Sequence, residues 1–107
     1  MAIKQLSFKG LDIENLNIKY FVEINEQTFI FLVKWSTYCN CAFLSISDYN
    51  NNPIIDGIAL VNGLRIRNSK LPYVMFFVHL TGEKYEPTLN NISKEFALVY
   101  NDESEVS

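Results

Sequence analysis

The chain has 107 residues, 49% hydrophobic, 14% aromatic and 20% charged, with a formal net charge of −3. Three of its 12 acidic residues, Asp102, Glu103 and Glu105, follow Tyr100, so residues 1–100 hold nine groups of each sign and are formally neutral. One domain over residues 1–107 is expected at this length. A neutral body lacks the clustered basic face that meets nucleic acid or anchors a protein on a membrane surface, and the apolar content is too high for disorder.

The first nine residues contain no apolar run of the kind that makes a secretory signal, and the charge-free apolar runs Phe29–Val33 and Tyr73–Val78 are strand-sized, far short of the ~20 residues a spanning helix needs. Residues 1–16 show no clear period and are expected to be an irregular N-terminal arm. From Ile18 the pattern changes to period two: Ile18, Tyr20, Val22 and Ile24 alternate with Lys19, Phe21 and Glu23, as in a half-buried strand. Asn25-Glu26 is a polar two-residue turn, and Gln27–Trp35 follows as the second arm of a hairpin. That second strand is apolar on both faces, with Phe29, Phe31, Val33 and Trp35 on one and Ile30 and Leu32 on the other, so both faces are expected to be covered.

Ser36–Asn40 reads as a loop and Cys41–Asp48 as a third strand. Tyr49–Pro53 is the clearest turn in the chain, because Asn tolerates left-handed backbone and Pro cannot donate to a ladder. Ile54–Val61 is a fourth strand, with a bulge or close contact at Gly57. Asn62-Gly63 carries a strong hairpin signal ahead of Leu64–Arg67. Tyr73–Leu80 and Phe96–Tyr100 are the last strands, separated by the polar connection Thr81–Lys94. Residues 101–107 read as a mobile acidic tail. Six or seven short antiparallel strands with regular turns and no helical stripe predict an all-β fold, a small β-barrel or β-sandwich.

Candidates for chemistry are few. His79 with Glu83 four residues on could form an acid–base dyad, and Cys39 or Cys41 could serve as a nucleophile, but a hydrogen-bonded strand-end histidine and free, reduced thiols are the commoner outcomes. Cys39 and Cys41 are too close for an unstrained mutual disulfide and lack partners for a zinc site. Asp48, Asp56 and Asn50–Asn52 do not follow calcium-loop spacing, and a turn satisfied by its own side chains is the simpler reading. Arg65 and Arg67 share one face of a short strand and suit the rim of an interface. No phosphate loop exists, and no catalytic residue, metal site or cofactor is expected.

Residues 18–100 together resemble the baseplate plug family of contractile-tailed bacteriophages. The resemblance rests on an aromatic strand ending in Trp35, a strand ending in Asp48, the block Pro53, Ile54, Gly57, Leu60, Val61 and Gly63, and the closing run to Tyr100. The chain departs where such proteins often carry tryptophan and it has Phe43, and its Cys39-Asn40-Cys41 loop is its own. The first seventeen residues and the acidic tail lie outside the resemblance. It implies a non-enzymatic virion protein, assembled in the bacterial host cytoplasm, present in several copies around the tail axis and linking the tail tube to the hub and spike. Ile30, Leu32, Arg65 and Arg67 are the expected interface residues, and the strand edges at Ile18–Ile24 and Phe96–Tyr100 the expected places for strand pairing with neighbours. The competing expectation is a small β-barrel module binding an apolar ligand or a peptide.

Overall fold

The structure is a computed structural model, which describes residues 3–101. It is all-β, with eight strands: β1 (Ile3–Ser7), β2 (Asn17–Ile24), β3 (Gln27–Ser36), β4 (Cys41–Asp48), β5 (Pro53–Ala59), β6 (Leu64–Ile66), β7 (Met75–His79) and β8 (Phe96–Asn101), with one helical turn, α1 (Ile92–Glu95), before the last strand. They form two four-stranded antiparallel sheets, β1-β8-β7-β6 and β2-β3-β4-β5.

Strands consecutive in sequence are hydrogen-bonded neighbours except at β1/β2 and β5/β6, and β8 returns to pair with β1. The arrangement is therefore an up-and-down ring opened at two seams, not a closed barrel. Two local features keep the second seam open. β6 is only three residues long, and β5 holds two extra residues against β4, shifting register between Leu44 and Ile46 and again between Ile46 and Ser47. Gly57 sits in the first irregularity at φ +71, its N–H donating to Ser45 Oγ at 3.0 Å where a ladder bond is missing. A side-chain bond from Asn68 Nδ2 to the Ile54 carbonyl, at 3.2 Å, spans the gap.

The expectation of an irregular arm over residues 1–16 is corrected. Ile3–Ser7 is a strand whose partner, β8, lies ninety or more residues away, in the register Ile3 to Asn101 through Ser7 to Ala97. Its polar residues Lys4, Gln5 and Ser7 are exposed, as an edge strand permits. β1 also puts Phe96–Tyr100 inside its sheet, so that segment is not an edge. Asn101 closes β8, and the rest of the expected acidic tail, residues 102–107, lies outside the described residues. The hairpin expected at Asn62-Gly63 is not made either, because the chain there crosses from one sheet to the other.

Both sheets turn an apolar face inward to one core. Ile18, Tyr20, Val22 and Ile24 of β2, Phe29, Phe31, Val33 and Trp35 of β3 and Ala42, Leu44 and Ile46 of β4 meet Ile66, Met75, Phe77, Phe96 and Leu98 from the other sheet. Phe8, Phe77 and Phe96 stack in a row at centroid distances of 5.7 and 5.4 Å, and Leu11, in the link from β1 to β2, is fully buried. Large fully buried aromatic rings fill the space in which a barrel module would hold a ligand.

Candidate interaction surface

Alternation along β3 that buries Phe29, Phe31 and Val33 sends Ile30 and Leu32 to the opposite, outer face of the sheet. Register places Phe21 of β2 beside Ile30, and Lys19 beside Leu32. On the other side Ser47 pairs with Ile30 and Ser45 with Leu32. Small serines leave a shallow depression of about 180 Å3, lined by Lys19, Ile30, Leu32, Ser45, Ser47, Pro53, Ile55 and Asp56. Phe21 at its border is 64% exposed. A free-standing antiparallel sheet normally alternates apolar-in with polar-out, and this outer face departs from that rule at Phe21, Ile30 and Leu32, with Ile30 itself buried at 8% exposure.

The structure does not bring the two expected interface pairs together. Ile30 and Leu32 lie on one sheet. Arg65 and Arg67 lie on or beside β6 at the edge of the other, where both are exposed and Arg65 pairs with Phe76. The residues that carry the resemblance are spread along the frame. Trp35 is in the core, its N–H donating to the Leu16 carbonyl at 2.7 Å. Asp48 organises the turn after β4: Oδ1 accepts the Asn50 and Asn52 N–H groups, both at 2.9 Å, and Oδ2 accepts Asn52 Nδ2 at 3.1 Å. These bonds, led by the Asn52 main-chain amide, hold the Asp48 carboxyl below its ordinary range. Pro53, Ile54 and Gly57 belong to bulged β5. Leu60, Val61 and Gly63 form the crossover, in which Leu60 is fully buried with its N–H on the Ala42 carbonyl, Val61 is exposed, and Gly63, at φ +88, donates to the Phe77 carbonyl at 2.7 Å. Tyr100 stacks on Tyr73 at 5.8 Å.

A polar cluster that pattern alone did not reveal pins the long connection after β7. His79 is buried. Its Nδ1 accepts the Thr81 and Glu83 N–H groups at 3.1 and 3.3 Å, which leaves the ring hydrogen on Nε2, 3.0 Å from Glu95 Oε1 and 2.9 Å from the Tyr85 hydroxyl. Tyr85 also donates to Glu95. Glu83, the carboxylate expected to pair with His79, contributes its main chain, and the carboxylate in contact is Glu95. The hydrogen bond to Glu95 pushes the Tyr85 hydroxyl up to about 12, and the same bond draws Glu95 down. A general base needs a free lone pair, and here two amides hold it.

Asn62, in the crossover, completes the cluster. Its Oδ1 accepts the His79 N–H at 3.2 Å, its Nδ2 donates to the Glu83 and Tyr85 carbonyls at 2.8 and 3.0 Å, and its N–H donates to Glu86 Oε1 at 2.8 Å. The open depression beside it, about 400 Å3 and lined by Asn62, Val78, His79, Gly82, Glu83 and Lys84, is thus bordered by groups already bonded to one another.

Cys39 and Cys41 are free thiols on and beside the β3–β4 loop. Partial burial and the neighbouring Cys39 push the Cys41 thiol up, the opposite of activation. Among the described residues no three His, Cys, Asp or Glu side chains gather as a metal site, and no helix is long and apolar enough to cross a membrane.

The chain is thus a packed all-β unit whose polar clusters serve the frame and whose β2–β5 sheet carries an apolar patch on its outer face. Residues 8–103 match the family model described as cyanophage baseplate Pam3 plug gp18, and the chain belongs to that family. It is a bacteriophage baseplate plug protein, a class that works among other baseplate components in the virion tail. The match starts at residue 8 and so takes in the segment 8–17, which the resemblance read from the sequence had left out. Comparison with curated proteins and with solved structures gave no match.

Proposed function

We infer that this chain is a plug on the axis of a contractile phage tail, an adaptor joining the tail tube to the hub and spike in several copies and closing the channel until injection. Its work is mechanical, through packing rather than catalysis, and it assembles in the host cytoplasm before the tail is complete. The two sheets act as one β-sandwich domain. Ile30 and Leu32 form the centre of the surface against a neighbouring subunit, and Arg65 and Arg67 form a charged rim on the opposite sheet. Trp35, Asp48, Pro53, Ile54, Gly57, Leu60, Val61, Gly63 and Tyr100 hold the frame that presents these surfaces.

The observation that carries this reading is the apolar patch on the outer face of the β2–β5 sheet, where exposed Phe21 and half-buried Leu32 flank Ile30, itself 8% exposed. Covering one large apolar side chain contributes about 1.5–3 kcal/mol, so a few such residues are enough to make a joint in a permanent assembly. Co-expression with tail-tube and hub proteins of the same phage tests the proposal. Co-purification with both, in a fixed ratio, is the expected result; binding to neither refutes it.

A further inference from the structure

The two open seams leave four strand edges, and three of them are poor templates for pairing. β6 has three residues, β5 begins at Pro53 and is irregular at two places, and β1 has five residues. β2 differs. It runs eight residues in unbroken register with β3 and contains neither Gly nor Pro. Across the two-residue turn, Ile24 and Gln27 form the closing hydrogen-bonded pair, so Val22, Tyr20 and Ile18 also bond toward β3, and the Trp35 N–H on the Leu16 carbonyl continues the same phase. The main-chain N–H and C=O groups of Asn17, Lys19, Phe21 and Glu23 therefore point away from the sheet.

The side chains on this edge are self-complementary. Lys19 stands two residues before Phe21 and Glu23 two residues after it, all three exposed on the outer face. An antiparallel copy centred on Phe21 sets Lys19 against the partner's Glu23, Phe21 against the partner's Phe21, and Glu23 against the partner's Lys19. The same register makes Phe21, Lys19 and Glu23 the hydrogen-bonded positions of the new pair, the phase the outward main-chain groups require. On the inner side, half-buried Tyr20 and Val22 meet each other's counterparts. A parallel copy in register sets like charges together instead.

We propose that the free protein forms a two-fold dimer by antiparallel pairing of β2 with β2 of a second copy, joining their sheets into one eight-stranded sheet. This goes beyond the tail-axis reading and does not depend on it. A two-fold pair points its copies in opposite directions, so the dimer is a form of the unassembled protein, and it shelters the edge most open to aggregation.

Light scattering on the purified full-length chain, across a dilution series from high to low micromolar, tests the dimer. The expected result is a concentration-dependent mass reaching twice the 12.4 kDa of the chain. Lys19→Glu or Glu23→Lys alone turns two attractive cross-strand pairs into two repulsive ones and weakens association roughly ten-fold, and the double swap restores it. Register is read separately. In a Cys39→Ser, Cys41→Ser background, Phe21→Cys forms a symmetric cross-link on mild oxidation, since hydrogen-bonded antiparallel positions bring Cα atoms to about 5.5 Å, whereas Lys19→Cys does not. Circular dichroism confirms that each variant is folded. A monomer at every concentration overturns the proposal, as does a double swap that fails to restore association or a cross-link that forms at position 19 and not at 21.

Discussion

Asn62 links three segments that are distant in sequence. Its side chain receives the β7 main chain at His79 and donates to two carbonyls of the connection that follows. Removing it leaves these groups to water or to nothing, at a cost of about 1–2 kcal/mol for a partly exposed cluster. Asn62→Ala is expected to lower the urea midpoint by that amount with an unchanged slope.

Protons give a second handle on single residues. Asp48 and Glu95 lie below their ordinary values of 3.8 and 4.5, because the Asn52 amide and the Tyr85 hydroxyl, respectively, bond their charged forms. The unfolded chain therefore takes up protons first on acidification. The contribution of both groups is present at neutral pH and is lost as pH falls below about 4. Asp48→Asn is expected to make the acid limb of a stability–pH curve shallower. On the alkaline side the sign reverses. Burial raises Tyr20, and the bond to Glu95 raises Tyr85, each from 10.0 to about 12. The folded chain keeps protons there that the unfolded chain has lost, so stability falls as pH rises from 10 toward 12. Absorbance titration at the phenolate band is expected to lose one late-ionising tyrosine in Tyr85→Phe relative to the wild type.

Among the elements, the β2–β3 hairpin shows what a short local signal can specify. Asn25 and Glu26 both take positive φ, 54° and 66°, the primed turn that matches strand twist and prefers Gly second. Glu26→Gly is expected to raise stability by about 1 kcal/mol, measured by thermal or urea unfolding.

The strands β2 to β5, β7 and β8 were legible because their period, flanking turns and β-branched or aromatic content lie within a few residues of one another. The missing strand and the wrong hairpin share a cause. β1 is recognisable only through β8, and nothing in Ile3–Ser7 announces a partner at residues 97–101. Asn62-Gly63 has ideal hairpin chemistry, but Asn62 uses its side chain for tertiary bonds and the chain changes sheet. Phe96–Tyr100 looked like an edge for the same reason. At the candidate surface, the doubly apolar strand Phe29–Trp35 was readable from alternation alone, which pointed to Ile30 and Leu32. Phe21 as their exposed neighbour follows from register. The His79–Glu95 contact spans sixteen residues, so the nearer Glu83 was the natural guess and the wrong partner.

For the whole molecule, the high apolar fraction divides into two parts. Most of it fills one core between the two sheets. The remainder is exposed at scattered positions, among them Ile13, Tyr38, Tyr49 and Phe76, and on the face of the β2–β5 sheet, where Phe21 and the depression beside Leu32 are open to whatever adjoins them. The ring of strands is split rather than closed, so the molecule has edges as well as faces to offer a neighbour. Membership of a baseplate plug family places the chain among other baseplate components, the setting that the proposed joint requires.

In the proposed function, the outer face of the β2–β5 sheet is the joint to the rest of the baseplate. Leu32→Glu, half-buried on that face and remote from the core side of β3, tests it in a co-expression pull-down with the tube and hub proteins, alongside an unfolding curve. Leu32→Glu is expected to fold with a loss of no more than about 1–2 kcal/mol and to lose co-purification with at least one partner. A folded Leu32→Glu that co-purifies with both partners as well as the wild type does would contradict it.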